Sequence, residues 1–127
     1  MTKSVEAQVE EILDSYSKEV REATNKAEDT VAKEAVSKLK STSPKGSPHR
    51  RRYAEGWAKK VEKGSAGVQT VIVYNRTNGP LTHLLENGHV VRNGKGTYGR
   101  ARAIKHIAPV NDWAVDEFPR EIERELE

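Results

Sequence analysis

The chain has 127 residues, 35% of them hydrophobic and 32% charged, which is enough for one domain with a modest core. Its net charge of +3 is unevenly distributed, with −2 over residues 1–43, +10 over residues 44–105 and −5 over residues 106–127. The absence of cysteine excludes disulfides and thiolate chemistry, and no apolar run approaches the ~18 residues that span a bilayer.

Residues 4–40 are predicted to form one long helix, because apolar or small residues recur at steps of three or four. The stripe is narrow and contains several alanines, so the helix needs a sheet or a neighbouring subunit to pack against. Two interpretations remain open, a helix that covers the core of its own monomer and a helix that contacts another subunit. The candidate contact residues on the stripe are Val9, Tyr16, Val20, Ala27 and Val31.

Residues 41–52 are predicted to be a basic linker, because two prolines, a glycine and three serines interrupt the helix. The linker ends in a cationic cluster, Arg50 to Arg52, and Tyr53 and Trp57 follow it. One interpretation is phosphate contact by the arginines with stacking by an aromatic ring. The other is a solvated loop whose aromatic residues turn into the core.

Residues 53–107 are predicted to form a small antiparallel sheet that includes a short helix and a long loop. Residues 53–63 and 68–75 have the composition of two strands joined by a glycine-containing hairpin loop. The latter half of the second strand is apolar on both faces, so we expect it to be covered on both sides, with the long helix on one of them.

The short helix is predicted at residues 80–87, after a turn that begins at Asn75. Pro80 suits the first helical position, and Gly88 is placed to end the helix in a left-handed conformation. Three leucines at helical spacing, Leu81, Leu84 and Leu85, predict one apolar face.

Residues 93–102 are predicted to form a long basic loop, with strands before it at 89–92 and after it at 103–107. A loop this long and polar is typically mobile or functional. A final helix is predicted at residues 109–127. Pro119 lies within its apolar stripe and predicts a kink or two abutting helices.

His83, Glu86 and His89, with His106 downstream, form the constellation that most resembles a metal site. Their spacing differs from H-E-x-x-H, and Gly88 ends the helix before His89, so the shared helix face is lost. We therefore expect no metal or cofactor. Instead, His83 and Glu86 are expected to form hydrogen bonds across the short helix or to cap backbone groups, while His89 and His106 pair neighbouring strands.

No catalytic motif accompanies these residues, because the sequence has no G-x-S-x-G and no phosphate-binding loop. We therefore predict that the protein is not an enzyme and has no catalytic residue. The N-terminus lacks the apolar segment of a signal peptide, so the protein is expected in the cytoplasm unless it leaves inside a larger particle.

Three segments, V-Y-N, L-T-H-L-L-E-N-G-H and K-H-I-A-P, occur in this order with a basic glycine-rich loop before the last. In this combination the chain resembles a family of minor structural proteins of long-tailed phages, similar to the tenth gene product of lambdoid siphophages. Its members are described as neck, head–tail joining or tail-completion proteins. The motif residues are Tyr74, Asn75, Leu81, His83, Leu84, Leu85, Glu86, Gly88, His89, His106, Ile107 and Pro109.

The resemblance implies an α+β fold in which the long N-terminal helix and the C-terminal helix pack on a small antiparallel sheet, all in one domain. It implies a ring at the neck or tail top, assembled in the host cytoplasm and carried in the virion. Its partners would be other neck and tail proteins, namely the head-side adaptor, the tail tube or the terminator, with non-specific contact to passing DNA and no membrane involved. The residues expected to line the channel or to reach a partner are Arg50, Arg51, Arg52, Arg92, Lys95, Tyr98, Arg100 and Arg102.

The alternative is a small nucleic-acid-binding protein that uses the basic central region. The sequence has no recognition helix rich in base-reading side chains, so such binding would be non-specific.

Overall fold

The computed structural model describes residues 4–45, 48–64, 67–93 and 96–127, with side chains outside 48–50, 89–93 and 96–101, and has the predicted α+β class. Four helices and four strands are described. In chain order they are α1 (Val5–Thr42), α2 (Pro48–Glu55), β1 (Trp57–Lys63), β2 (Gln69–Asn75), α3 (Leu81–Asn87), β3 (His89–Asn93), β4 (Gly96–Ala101) and α4 (Ile107–Leu126).

Helix α1 begins and ends beside serines whose side chains form hydrogen bonds with its backbone. At its start the Ser4 hydroxyl accepts a hydrogen bond from the Ala7 N–H at 3.2 Å. At its end Ser43 has the extended conformation expected before a proline, and its hydroxyl donates to the Leu39 carbonyl at 2.5 Å. The same hydroxyl accepts the indole N–H of Trp57 at 2.8 Å, which ties the helix end to β1.

Strands β1 and β2 form an antiparallel hairpin in which Trp57 pairs with Asn75 and Lys63 pairs with Gln69. Helix α1 packs across this hairpin and alongside α4. Helices α1 and α4 run antiparallel, since Lys26 forms an ion pair with Glu125 and the Lys38 ammonium lies 4.6 Å from the Trp113 ring centroid. The C-terminal half of α1 is therefore enclosed between a hairpin and a helix.

The core lies where these elements meet. Tyr53 and Trp57 are buried in it with their rings 5.6 Å apart in an edge-to-face arrangement. The inward-facing interpretation of these two aromatic residues is therefore correct, and they are not available for stacking on a base. The buried cluster consists of Ala35, Leu39, Tyr53, Trp57, Leu85 and Val110.

The region between α1 and β1 differs from the predicted linker. Residues 48–55 form helix α2, so the strand starts at Trp57 and not at Tyr53. Pro48 suits a first helical position, and no glycine or proline interrupts the seven residues after it. The predicted linker of residues 41–52 is therefore too long, because α1 continues to Thr42 and α2 begins at Pro48.

The described strands form two separate two-stranded sheets and not one sheet. The segment predicted as a loop at 93–102 is largely the β3–β4 hairpin, with a register irregularity between Val90 and Arg92. The strand predicted at 103–107 is absent, because residues 102–106 have no regular structure and α4 starts at Ile107.

Helix α4 continues through Pro119 as one helix, so it is not divided into two abutting helices. A proline in a helix removes one backbone hydrogen bond, and the packing of α4 against α1 offsets that loss. Within the described residues, no helix is both long enough and apolar enough to cross a membrane.

Candidate interaction surfaces

Glu86 connects α3 to the start of α4. Its carboxylate accepts the backbone N–H groups of His106 at 2.8 Å, Ile107 at 2.9 Å and Ala108 at 3.0 Å. The next residue, Pro109, has no N–H to satisfy. One buried carboxylate and one proline thus satisfy the first turn of α4. The expectation that Glu86 caps backbone groups is met at this helix.

The three N–H groups also decide the charge state of Glu86. Burial alone would raise the pKa of this carboxyl, but the hydrogen bonds from the backbone N–H groups of His106, Ile107 and Ala108 lower it below its usual value. The carboxylate is therefore ionised at neutral pH, and the positive end of the α4 dipole favours that charge.

His106 is fully buried beside this carboxylate. Its Nδ1 lies 2.7 Å from the Ile104 carbonyl, which only accepts, so Nδ1 carries the hydrogen. In the neutral ring Nε2 then accepts the Tyr53 hydroxyl at 2.6 Å. Burial and the Glu86 charge raise the pKa of Tyr53 to about 12, so its hydroxyl stays protonated. The prediction that His106 pairs neighbouring strands is wrong, because it precedes α4 and contacts α2.

Asn75 organises the turn after β2. It is buried, and its amide donates to the Tyr53 carbonyl at 2.7 Å. Its side-chain oxygen accepts the Thr77 N–H at 3.1 Å, the Thr77 hydroxyl at 2.9 Å and the Asn78 N–H at 2.9 Å. Asn75, Glu86 and His106 are thus buried polar residues with a structural role.

Other motif residues are less buried than predicted. Leu85 is buried and Leu81 packs against the core, but Leu84 on the same helix is 42% exposed, so the three leucines do not share one buried face. Tyr74 is also exposed, which makes the predicted cover on both faces of the second strand wrong at this residue.

Gly88 ends α3 with φ 76° and ψ 171°. This conformation has the predicted positive φ but lies outside the left-handed helical region, and it is essentially restricted to glycine. Among the other motif residues, His83 and Pro109 are exposed and Ile107 packs against the core. The side chain of His89 lies outside the described residues.

The N-terminal part of α1, residues 5–19, extends away from the core and is here called the arm. In the arm only Ala7 is even partly buried. Its large apolar side chains are 48% to 75% exposed. They are Val5, Val9, Ile12, Leu13 and Tyr16.

The predicted contact stripe on α1 therefore divides into two parts. Val9 and Tyr16 are exposed on the arm, Val20 is half-buried, and Ala27 and Val31 are buried inside the monomer. The core-covering interpretation is correct for α1 from Val20 onward, and the subunit-contact interpretation stays a prediction for the arm. The arm therefore presents an exposed apolar surface.

An apolar cleft of about 470 Å³ lies between α1, the β1–β2 hairpin and α4. Along α1 it extends from Glu28 to Leu39, and along α4 it extends from Ile107 to Phe118. Among the described residues, Glu28 is the only ionisable side chain in its lining. The Oε2 atom of Glu28 is buried without a hydrogen-bond partner in the described structure.

A second, smaller groove of about 350 Å³ lies where α1 meets α2. Lys40, Lys45 and Arg51 line it together with Glu55 and two serines. The groove is basic, although the negative end of the α1 dipole also lies there.

Few of the basic residues predicted to act together are seen together. Arg51 and Arg52 are exposed on α2, and Arg102 is exposed after β4. The side chains of Arg50, Arg92, Tyr98 and Arg100 and the whole of Lys95 lie outside the described residues. The channel surface therefore stays a prediction.

Two features of these surfaces were not predicted from the sequence. Glu28 lies beside the buried stripe of α1, between Ala27 and Val31. An acidic residue at that position could have indicated a partly buried carboxylate. Lys40 and Lys45 lie on either side of the helix-ending S-T-S-P, and only the fold shows that they share a groove with Arg51.

Among the described side chains, no three His, Asp or Glu residues are arranged to hold a metal ion.

The chain matches a known protein family. Residues 7–88, well over half of the chain, match the HK97-gp10-like family, described as "Bacteriophage HK97-gp10, putative tail-component". The matched range includes most of α1, the β1–β2 hairpin and α3 with Glu86, and ends at Gly88. No curated protein and no solved structure matches significantly. The family match confirms the resemblance drawn from the motif residues, and the chain belongs to the HK97-gp10-like family of bacteriophage tail components.

Proposed function

We propose that this phage structural protein acts at the head–tail joint, as a neck or tail-completion component. It acts by contacts with other copies and with neighbouring neck and tail proteins, such as a head-side adaptor, a tail tube or a terminator, and not by catalytic turnover. The copies form a ring, and the ring surrounds a passage through which DNA moves. Assembly takes place in the host cytoplasm, and the finished protein stays in the virion.

The exposed arm is the observation that carries this proposal. Five large apolar side chains on one helix face are a poor solution for a monomer in water, since each gives about 1.5–3 kcal/mol when fully buried. As an isolated segment, the arm would be only marginally helical. An assembly in which the arm is covered supplies both the burial and the stability.

The test is electron microscopy of a lysate from a phage or prophage that lacks this gene. We expect filled heads beside separate tails, and restoration of joined particles when the gene is supplied in trans. Normal, infectious particles from the deletion would overturn the proposal.

The second candidate function is non-specific nucleic-acid binding, which the basic groove favours. Lys40, Lys45 and Arg51 offer three cations within one concave surface, suited to phosphate oxygens. Glu55 in the same groove and the negative end of α1 weaken it for an anion. This activity therefore ranks second and is compatible with DNA passing through a joint.

This second candidate is tested by the salt dependence of DNA binding. Replacing Lys45 and Arg51 by alanine is expected to reduce the slope of log K against log salt by about 0.9 for each phosphate that the variant no longer neutralises. Lys18→Ala with Lys33→Ala on exposed positions of α1 makes the same change of charge elsewhere. Equal slopes for the two double variants, or no binding by the wild type at low salt, would exclude the groove.

A further inference from the structure

The arm and the apolar cleft belong to the same molecule but do not meet within it. Residues 28–39 of α1 line the cleft, and the arm is the preceding part of the same continuous helix. At 1.5 Å per residue, Tyr16 lies about 18 Å along the axis from Glu28. A straight helix does not fold back on itself, so an arm that enters this cleft must come from another copy.

The two surfaces match in length. The apolar positions of the arm extend from Val5 to Tyr16, and the cleft follows α1 from Glu28 to Leu39. Both intervals are eleven helical steps, about 16 Å. The side chains that enter such a cleft must be apolar along its length, which the arm provides.

A polar atom at the Glu28 end of the cleft distinguishes the two directions in which an arm could lie there. The buried Oε2 of Glu28 lacks a hydrogen-bond partner among the described residues, and an unpaired buried oxygen is unfavourable. On the apolar face of the arm, Tyr16 carries a hydroxyl that can donate to it. Burial and the nearby charge of Asp29 raise the pKa of Glu28, consistent with a carboxyl that needs a donor.

We propose that the arm of one copy docks into the cleft of the next, antiparallel to the α1 that lines it, with the Tyr16 hydroxyl donating to Glu28. This inference rests on the proposed function and names the contact through which the oligomer forms. Arm and cleft are different surfaces, so each copy offers both and the contact is heterologous, the type that closes into rings.

The antiparallel direction places individual residues next to each other. With Tyr16 beside Glu28, Val9 lies level with Ala35 of the next copy. The ion pair between Lys26 and Glu125 and the stacking of Lys38 on Trp113 place Val115 near the same level on α4. Val9 and Val115 are both exposed in the monomer and are expected to approach each other across the contact.

Cysteine cross-linking tests this placement, because the chain has no native cysteine. Full-length Val9→Cys and Val115→Cys proteins, distinguished by a tag, are mixed at about 1 mM so that weak contacts are populated. They are then treated with a short thiol cross-linker. Ala7→Cys mixed with Val115→Cys is the matched control, because residue 7 lies on the opposite face of the arm. We expect the Val9 pair to cross-link at least about tenfold faster, as docking raises the effective concentration. Equal rates for the two pairs would overturn the inference.

Sedimentation equilibrium of tyrosine variants tests the polar contact separately. Tyr16→Phe is expected to weaken self-association by about tenfold, since Glu28 again lacks a donor. Tyr74→Phe removes the hydroxyl of another exposed tyrosine outside the cleft and is expected to leave self-association unchanged. Both substitutions alter exposed side chains, so misfolding is not a competing explanation. An unchanged association constant for Tyr16→Phe would exclude the Glu28 contact.

The outcomes separate this inference from the proposed function. If cross-linking shows no preference while the gene deletion leaves heads and tails unjoined, the arm–cleft contact is wrong and the function stands. If deletion leaves normal particles, the function is wrong, whatever the cross-links show.

Discussion

The two halves of α1 are made of different side chains and have different surroundings. The C-terminal half is enclosed by the β1–β2 hairpin and α4, and its buried positions are mostly alanine. The arm is exposed, and its apolar positions are the larger valine, isoleucine, leucine and tyrosine. Small residues let two helices approach closely, whereas large ones project toward a partner at a greater distance. One continuous helix thus combines a closed surface and an open one.

The rest of the monomer, from Val20 onward and here called the body, contains buried polar residues that the arm lacks. Glu86, His106 and Asn75 are buried, and each is held by hydrogen bonds that join separate elements. Such networks stabilise one arrangement of the monomer and leave little for a partner to add. These buried residues therefore hold the body together, and none of them lies on the arm.

The largest effect on the monomer is expected at Trp57. Trp57→Ala removes a buried ring and leaves the Ser43 hydroxyl without its indole donor, so we expect the free energy of unfolding to fall by about 4 kcal/mol. Urea denaturation followed by circular dichroism measures this change. Tyr74→Ala removes an exposed aromatic ring from the partner strand, and a loss of equal size there would contradict the position assigned to the core.

A smaller effect is expected at Glu86. Glu86→Gln puts an amide where three backbone N–H groups need acceptors, so we expect a loss of about 2 kcal/mol at pH 7. Because the folded-state pKa of Glu86 is lowered, its contribution is present above its ordinary value of 4.5 and is lost as the pH falls through the folded value. The difference between wild type and variant should therefore shrink below about pH 4.5.

Denaturation curves of both proteins from pH 7 to pH 3 test this dependence. Glu62→Gln, an exposed carboxylate on β1 that pairs with Lys60, is the matched control and should lie close to the wild type. A difference between wild type and Glu86→Gln that stays constant across this range would show that the charge of Glu86 does not stabilise α4.

Local patterns predicted the long helices α1 and α4, the β1–β2 hairpin and the short helix α3. Each of these elements has a repeated spacing or a strong turn signal. The capping role of Glu86 was also predicted, because an acidic residue close to the glycine that ends a short helix can accept backbone N–H groups of the next element. Helix α2 was missed because the prolines and serines before it indicate a loop, whereas R-R-R-Y-A-E taken alone favours a helix. The second hairpin was missed because its glycines and basic residues are typical of a loop.

The boundary between arm and body was not predictable from periodicity. The stripe of α1 continues with the same spacing through Val20, where burial begins, because one helix face meets solvent first and the core afterwards. Only the positions of α4 and the hairpin show where the enclosed half starts. The cleft and the basic groove are likewise formed by residues far apart in sequence, which no local pattern brings together.

The smallest effect on the monomer, and the clearest separation of the two halves, is expected on the arm. Ile12→Ser with Leu13→Ser removes two exposed side chains, so the free energy of unfolding of the dilute monomer should change by less than about 0.5 kcal/mol. Self-association, measured by sedimentation, should disappear, because these residues supply apolar contact and not internal packing. Glu10→Ser with Asp14→Ser alters the same arm on other positions and should retain association. If the serine variants at Ile12 and Leu13 unfold as easily as Trp57→Ala, the arm belongs to the body after all, and the contrast between the two halves of α1 is wrong.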